Sequence, residues 1–521
     1  MRLQLLARRV RICSCALLVS LAFGQPPQHL FIHVKLGPEF HNPVSGRLLV
    51  FVAPGTGHKE VDTNPFSPSE VSVAAKEVPS LKPGGTVDVD ADDVVFPAPL
   101  SQVKPGDYQV QAVLDVAHTY NYVGRTSGDL ESDVVTLSAW QPSKADGPQV
   151  TLTQLIPADP DPPVKVRPED KAAFAQALQP IAFNSQRLTQ FCGREIQMRG
   201  WVVLPPGYAS HPEQRYPAVY YTHGFGGNLE RIKPFSGRVY EEMLQKNMPE
   251  MIWVLLDESI ATGTHEFADS VNNGPWGLAL VSELIPHLET LYRMDAKSTG
   301  RFLQGHSSGG WATLWLQTRY PKVFGGTWST SPDPSDFHDF TGVNLYGPHA
   351  NMYRRPDGAP YPLIRDHGEV KATIEQFAKL ESVIGPYGGQ FASFEWVFSP
   401  RAADGQPLPM FDRTTGDVDP AVIAYWHEHY DIAHLVSEHW DTLAPDLRGK
   451  IHLIVGTADT FYLDGAAHKL QAVLDGLHAE AHFTFVPDRT HFDLYRIGTN
   501  PQGLMERIAA EMYAVARPQG K

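Results

Sequence analysis

Cysteine is nearly absent from this chain, with three in 521 residues, and Cys13 and Cys15 both fall within the first 24. Cys192 alone remains beyond that segment, so no internal disulfide is available and stability has to come from buried apolar cores. Long apolar runs are missing too: the run Ile12 to Phe23 falls short of the roughly 20 residues a membrane-spanning helix needs, and no later stretch approaches it. Positive charge is in deficit, 43 Lys and Arg against 58 Asp and Glu, for a net charge of -15. That balance repels nucleic acid and anionic membrane surfaces. No N-x-S/T acceptor with x other than proline occurs, so no N-glycosylation is expected.

What is present describes a globular protein: 42% hydrophobic residues in a chain long enough for two to three domains. Arg2, Arg8, Arg9 and Arg11 precede the apolar run, and Ala22-Phe23-Gly24 follows the pattern of a cleavage site. Residues 1–24 are therefore expected to be a signal peptide cut after Gly24, with the mature protein secreted or periplasmic and not inserted in a membrane. Cys15 sits at the start of the apolar run rather than after it, which argues against a lipoprotein. Losing the four arginines makes the net charge four units more negative.

Short alternating runs fill the stretch from His29 to Leu137, among them Leu30 to Val34, Arg47 to Val52 and Tyr108 to Leu114. They predict a β-sandwich domain over 25–140, too short for a propeller. A linker over 141–170 follows, rich in Pro and Asp (ADPDPPVKVRPED, 158–170). Strand-like runs then alternate with helical periodicity, predicting a mostly parallel sheet covered on both faces. The first part of that α/β domain covers 171–332 and the second 445–521. Between them, 333–444 breaks the alternation with a Pro-, Gly- and aromatic-rich stretch, expected to be an insertion that caps the site.

Gly305-His306-Ser307-Ser308-Gly309 spells G-x-S-x-G between a strand-like run and a helical pattern. On such a turn the serine hydroxyl is lifted clear of the sheet, and the glycines let strand and helix close together. Upstream, the run AVYYT (218–222) leads into His223-Gly224-Phe225-Gly226-Gly227, a candidate oxyanion loop. Phe225 and Ser308 would supply the two backbone N–H groups. Downstream, IHLIV (451–455) runs into Asp459, and a further strand-like segment precedes His491. A serine hydroxyl needs a neutral imidazole to remove its proton, and the imidazole needs a carboxylate to orient it. Ser307, His491 and Asp459 fit these roles in the chain order Ser, Asp, His. Asp464 is the rival acid. His427, His429, Asp431, His434 and His439 invite a metal reading, but there is no H-E-x-x-H frame and no nearby thiolate, so a packed helix is preferred. No metal or organic cofactor is expected.

Five stretches resemble the "Putative esterase" family, which includes enterochelin esterases, feruloyl and acetylxylan esterases, S-formylglutathione hydrolases and mycolyltransferases. They are VVLPPGY (202–208), YPAVYYTHGFGG (216–227), FADSVNNGPW (267–276), LIPHLETLYR (284–293) and GHSSGG (305–310), with GTAD and THFDLY near the end. The resemblance implies an α/β-hydrolase with a Ser307, Asp459, His491 triad, acting on a small-molecule or glycan-linked ester. By the same likeness His223, Phe267, Asp269 and Trp276 belong near the substrate pocket, against the plain alternative that FADS and NNGPW are turn and helix-cap chemistry. Ser308 stands where the family often has a larger apolar residue, and the insertion is longer than usual. The expected function is a serine carboxylic-ester hydrolase. The alternatives are an acyltransferase of mycolyltransferase type with the same triad, and a non-catalytic extracellular binding protein on a hydrolase scaffold. Oligomeric state is left open by the sequence.

Overall fold

A computed structural model of the chain describes residues 29–117, 125–143, 147–158, 160, 162–385 and 389–518. The expected signal segment lies outside these residues.

Eight strands make the central sheet, in the spatial order Leu178–Asn184, Gln197–Val203, Ile252–Leu256, Ala218–Thr222, Arg301–His306, Gly326–Thr330, Ile451–Gly456 and His482–Val486. The first two pair antiparallel, and every pairing from Ile252–Leu256 onward is parallel. The central strands read as continuous apolar runs because helices cover both faces. All five residues of Ile252–Leu256 (IWVLL) are buried. The edge strand Leu178–Asn184 escapes sequence reading because it carries Pro180, which a sheet tolerates only at an edge or bulge. Helix Ser308–Arg319 packs directly behind the strand that precedes it and is buried through Thr318.

The amino-terminal strands are hydrogen-bonded into one continuous nine-stranded sheet, most of whose strands feed one apolar core. The expected boundary at 140 is too early. Gln149–Leu155 (QVTLTQL) alternates, buries Val150 and Leu152, and pairs in parallel with Phe31–Leu36. The sheet therefore runs through Leu155. Ser72–Leu81, which shows little alternation, also joins it.

Strand Val44–Pro54 is buried on both sides, and its alternation sorts residues between two cores. Leu48, Val50 and Val52 face the sheet's own core, whereas Leu49, Phe51 and Ala53 meet Leu380, Val383 and Ile384 of helix Ile374–Ile384. Arg47 seals this contact, donating to the Val383 carbonyl through Nε at 3.0 Å and Nη2 at 2.7 Å. The amino-terminal sheet is thus docked on the 333–444 segment, not tethered at a distance.

That segment holds a hairpin (Pro362–Asp366 with Glu369–Thr373) and helices Ile374–Ile384, Gln390–Phe398, Pro420–Tyr430 and Ile432–Glu438. Helix Trp440–Leu447 runs through the expected boundary at 444, because its buried Leu447 leads straight into the next sheet strand. The segment's aromatic core around Trp426, Phe340 and Phe398 is continuous with Trp311 and Trp315 of helix Ser308–Arg319, Phe398 lying 4.8 Å from Trp311.

Candidate active site

Ser307 ends strand Arg301–His306 and caps helix Ser308–Arg319 with φ 61° and ψ -130°. A non-glycine residue in such a region is strained by about 1–3 kcal/mol and persists only when its surroundings hold it. They do so here: the Ser307 amide donates to the Thr330 carbonyl at 3.0 Å, and its own carbonyl accepts from the Trp311 and Asp333 amides. The two motif glycines are required by close approach. A Cβ on Gly305 would stand 2.1 Å from the Gly309 carbonyl oxygen, and one on Gly309 would stand 2.4 Å from the Thr222 and His223 carbonyl oxygens. The glycine-rich loop 223–227 and the serine turn are therefore pressed together, and a Cβ on Gly224 would lie 2.9 Å from that of Ser307.

His491 follows strand His482–Val486, and its Nδ1 bonds Asp459 Oδ2 at 2.9 Å, both residues being buried. Burial alone would raise the Asp459 pKa, but the charge and bond of His491 and the Phe461 amide outweigh it and hold it below its ordinary value. Asp464 points elsewhere, paired with Arg365 at 2.8 Å. Ser307 and His491 line one open cleft of about 470 Å³ together with Gly224, Phe225, His306 and Tyr495. Enclosure, helped by the neighbouring His491 ring at 4.4 Å, pushes the His306 pKa down to about 3 and keeps it neutral.

Ser308 presents the first amide of its helix, whose positive end therefore faces the serine turn. Its hydroxyl donates to Asp333 Oδ2 at 2.5 Å, and burial pushes the Asp333 carboxyl up to about 6. This explains a small polar residue at a position where the family often has a larger apolar one.

The four residues expected at the substrate pocket are not on its walls. His223 is buried beneath the glycine-rich loop, where its Nδ1 bonds the Gly224 carbonyl at 2.8 Å and its Nε2 accepts from the Glu258 amide at 3.0 Å. It shapes the loop from behind. Phe267 is packed in the core against His265, and Trp276 stacks on the same imidazole at 3.7 Å. Asp269 accepts from the Leu278 amide at 2.9 Å and from the Tyr320 hydroxyl. The FADS and NNGPW stretches therefore fold as turn and helix-cap chemistry, since local backbone amides satisfy them first. Other residues instead line the cleft: Phe492 of the THFDLY stretch, Phe461 just after GTAD, Phe377 of the aromatic-rich 333–444 segment and, from the amino-terminal domain, Pro65 and Phe66. Of these only Pro65 and Phe66 carried no signal in the sequence.

Among the described residues, His427, Glu428 and His434 are the group whose ligand atoms come within 4.8 Å of one another. Asp431 caps the helix start there, accepting from the His434 amide at 3.0 Å.

A parallel sheet with a strained serine elbow, a glycine-rich loop pressed on it and an Asp–His pair at the next strand ends defines an α/β-hydrolase, and the class is carboxylic-ester hydrolase. The "Putative esterase" family model matches residues 193–484, more than half of the chain, and the chain belongs to that family. Ser307 and Asp459 lie inside the match and His491 just beyond it. No curated protein matches the chain. Among solved structures it is similar to a ferulic acid esterase, at 14% identity over 65% of this chain and 97% of that one, with a TM-score of 0.40. It is also similar to the fluorophosphonate-binding serine hydrolase F of Staphylococcus aureus (11%, 64% and 98%, 0.37) and to an S-formylglutathione hydrolase from Agrobacterium tumefaciens (14%, 66% and 95%, 0.37). Among the described residues no helix is long and apolar enough to cross a membrane.

Proposed function

We propose that the protein is a secreted serine esterase that works through Ser307, His491 and Asp459 by way of an acyl-enzyme. The observation that carries this reading is the Asp459–His491 bond at 2.9 Å on the wall of the cleft that Ser307 also lines. Asp459 holds the Nδ1 proton, so Nε2 is the free base. Ser307 Oγ attacks the ester carbonyl as His491 takes its proton, and His491 then gives that proton to the leaving alcohol. The developing oxyanion is met by the Phe225 and Ser308 amides, each worth about 2.7–4 kcal/mol in such a site. Water, activated by the same imidazole, releases the acid. No cofactor takes part in these steps.

The finer architecture belongs to the same reading: the amino-terminal sheet is a sandwich-like domain and 333–444 is a cap over the cleft. Residues 1–24 direct export and are removed after Gly24. Amino-terminal sequencing of the protein recovered outside the cytoplasm should begin at Gln25, and a start at Met1 would refute export by cleavage. For the chemistry, hydrolysis of p-nitrophenyl esters by the purified protein should disappear in Ser307→Ala while circular dichroism stays unchanged. Turnover surviving that change would refute the triad.

A further inference from the structure

We propose that the two cavities meeting at Ser307 divide the ester between them, a closed slot taking a short acyl chain and the open cleft taking a bulky apolar alcohol part that Phe66 of the amino-terminal domain contacts. This rests on the roles given above to Ser307 and His491.

The chemistry assigns the sides. His491 has to deliver its proton to the leaving oxygen, so the alcohol lies on the side His491 lines. The open cleft is lined by both His491 and Ser307. A second cavity touches Ser307 and Asp333 but not His491, which leaves it for the acyl group. Its volume is about 30 Å³. A single water needs roughly 10–15 Å³ of such space, so the slot admits a chain of about two to four carbons.

Ser307, Asp333, Thr341 and Gln390 give it a polar side, and the rest of its wall is apolar and comes largely from the insertion: Phe340, Leu363, Phe391 and Phe394, with Leu463 at the edge. These apolar side chains are buried, and Phe394 is wedged between Phe340 at 5.5 Å and Phe398 at 6.0 Å. Close-packed rings of this kind do not swing aside without loss of contact on their far side. The slot's length is therefore set by the insertion, and a longer acyl chain meets Phe394.

The open cleft has the opposite character. Phe66 and Phe492 are 37% and 67% exposed, unusual for aromatic rings, and lie 5.7 Å apart, with Phe461 at 6.3 Å from Phe66. An apolar rim beside a nucleophile fits an apolar or aromatic alcohol. Phe66 holds its place because its domain is fixed to helix Ile374–Ile384 by the shared core, the Arg47 bonds and a bond from Gln376 Nε2 to Ser69 Oγ at 3.2 Å.

Two ester series on the full chain test the division. With p-nitrophenyl acetate, butyrate and octanoate, kcat/KM should fall by about tenfold or more from butyrate to octanoate, because a misfit of one methylene alone is worth roughly 10–200-fold. Phe394→Ala should raise the octanoate-to-acetate ratio about tenfold, and Leu363→Ala should raise it if Phe394→Ala does not fold. Phe66→Ala should lower the ratio of 2-naphthyl acetate to methyl acetate by about tenfold and leave the octanoate-to-acetate ratio as it was. Octanoate as the fastest wild-type substrate, or a Phe66→Ala change equal across both series, would overturn the division while Ser307-dependent hydrolysis stood. Absence of any hydrolysis, with Ser307 unlabelled by a fluorophosphonate, would instead overturn the triad reading beneath it.

Discussion

The central sheet and the segment inserted at 333–444 lie against the same serine but are built by different rules. In the sheet, short apolar strands such as Ile252–Leu256 set the backbone, and the residues proposed for the chemistry sit on loops that follow strands: Gly224 and Phe225, Ser307, Asp459 and His491. In the insertion no motif recurs, and position is set by rings packed on rings, with Trp426 at the centre against Phe337, Phe340 and Phe398. Reactivity is thus fixed by backbone geometry at strand ends, whereas the shape of the pocket is fixed by side chains brought from distant parts of the chain.

If that contrast holds, the largest effect comes from the serine turn. Ser307→Ala should lower kcat by at least about 10⁴-fold. Its Tm should stay within a few degrees of the wild type, because the hydroxyl contributes nothing to the core. A comparable loss of activity accompanied by unfolding would show that the turn is structural instead. Next, Asp459→Asn should cost about 10³–10⁴-fold in kcat through loss of the imidazole's orienting charge. Asp464→Asn removes only a partner of Arg365 and should be mild; the reverse ranking, read from steady-state kinetics, would move the acid.

Trp426→Ala probes the other region. The ring is fully buried and bonds Ser399 Oγ at 3.0 Å, so its loss should destabilise the fold by about 3–5 kcal/mol in denaturant melts. The same variant should still react with a fluorophosphonate at Ser307, since the sheet that shapes the elbow is untouched. Failure to react while the sheet remains folded would erase the distinction between the two regions.

The smallest effect is a pH dependence from behind the glycine-rich loop at 223–227. Glu258 is fully buried, neither of its carboxylate oxygens accepts a hydrogen bond among the described residues, and burial pushes its pKa from 4.5 to about 8. The folded state then binds a proton that the unfolded state has released, so this group's contribution to stability falls as pH rises from 4.5 to about 8. Glu258→Gln should raise Tm by at least about 2–4 °C near pH 9 and by little near pH 4.5. Equal shifts at both ends of a thermal-melt series would mean that Glu258 is ionised in the fold.

Much of the sheet was legible because its central strands are apolar runs, and the candidate triad was legible because Ser307, Asp459 and His491 lie one, three and five residues beyond the ends of sheet strands. Legibility ended where local pattern and spatial role part. Phe267, Asp269 and Trp276 sit in stretches that resemble the family, yet they satisfy nearby amides and pack on His265 rather than face the cleft. Leu178–Asn184 was hidden by its proline, and Gln149–Leu155 by the expectation of a linker. Phe66 carried no signal at all: its place at the cleft depends on a whole sheet docking through Arg47 and Leu49 onto a helix some three hundred residues away in sequence.

The central claim is that Ser307 is the nucleophile, and peptide mapping after brief exposure of the purified protein to a fluorophosphonate tests it most directly. The account predicts one adduct per chain, on the peptide carrying Ser307, formed far more slowly in Asp459→Asn and absent in Ser307→Ala. An adduct on another residue, or labelling of Ser307→Ala at the wild-type rate, would contradict it.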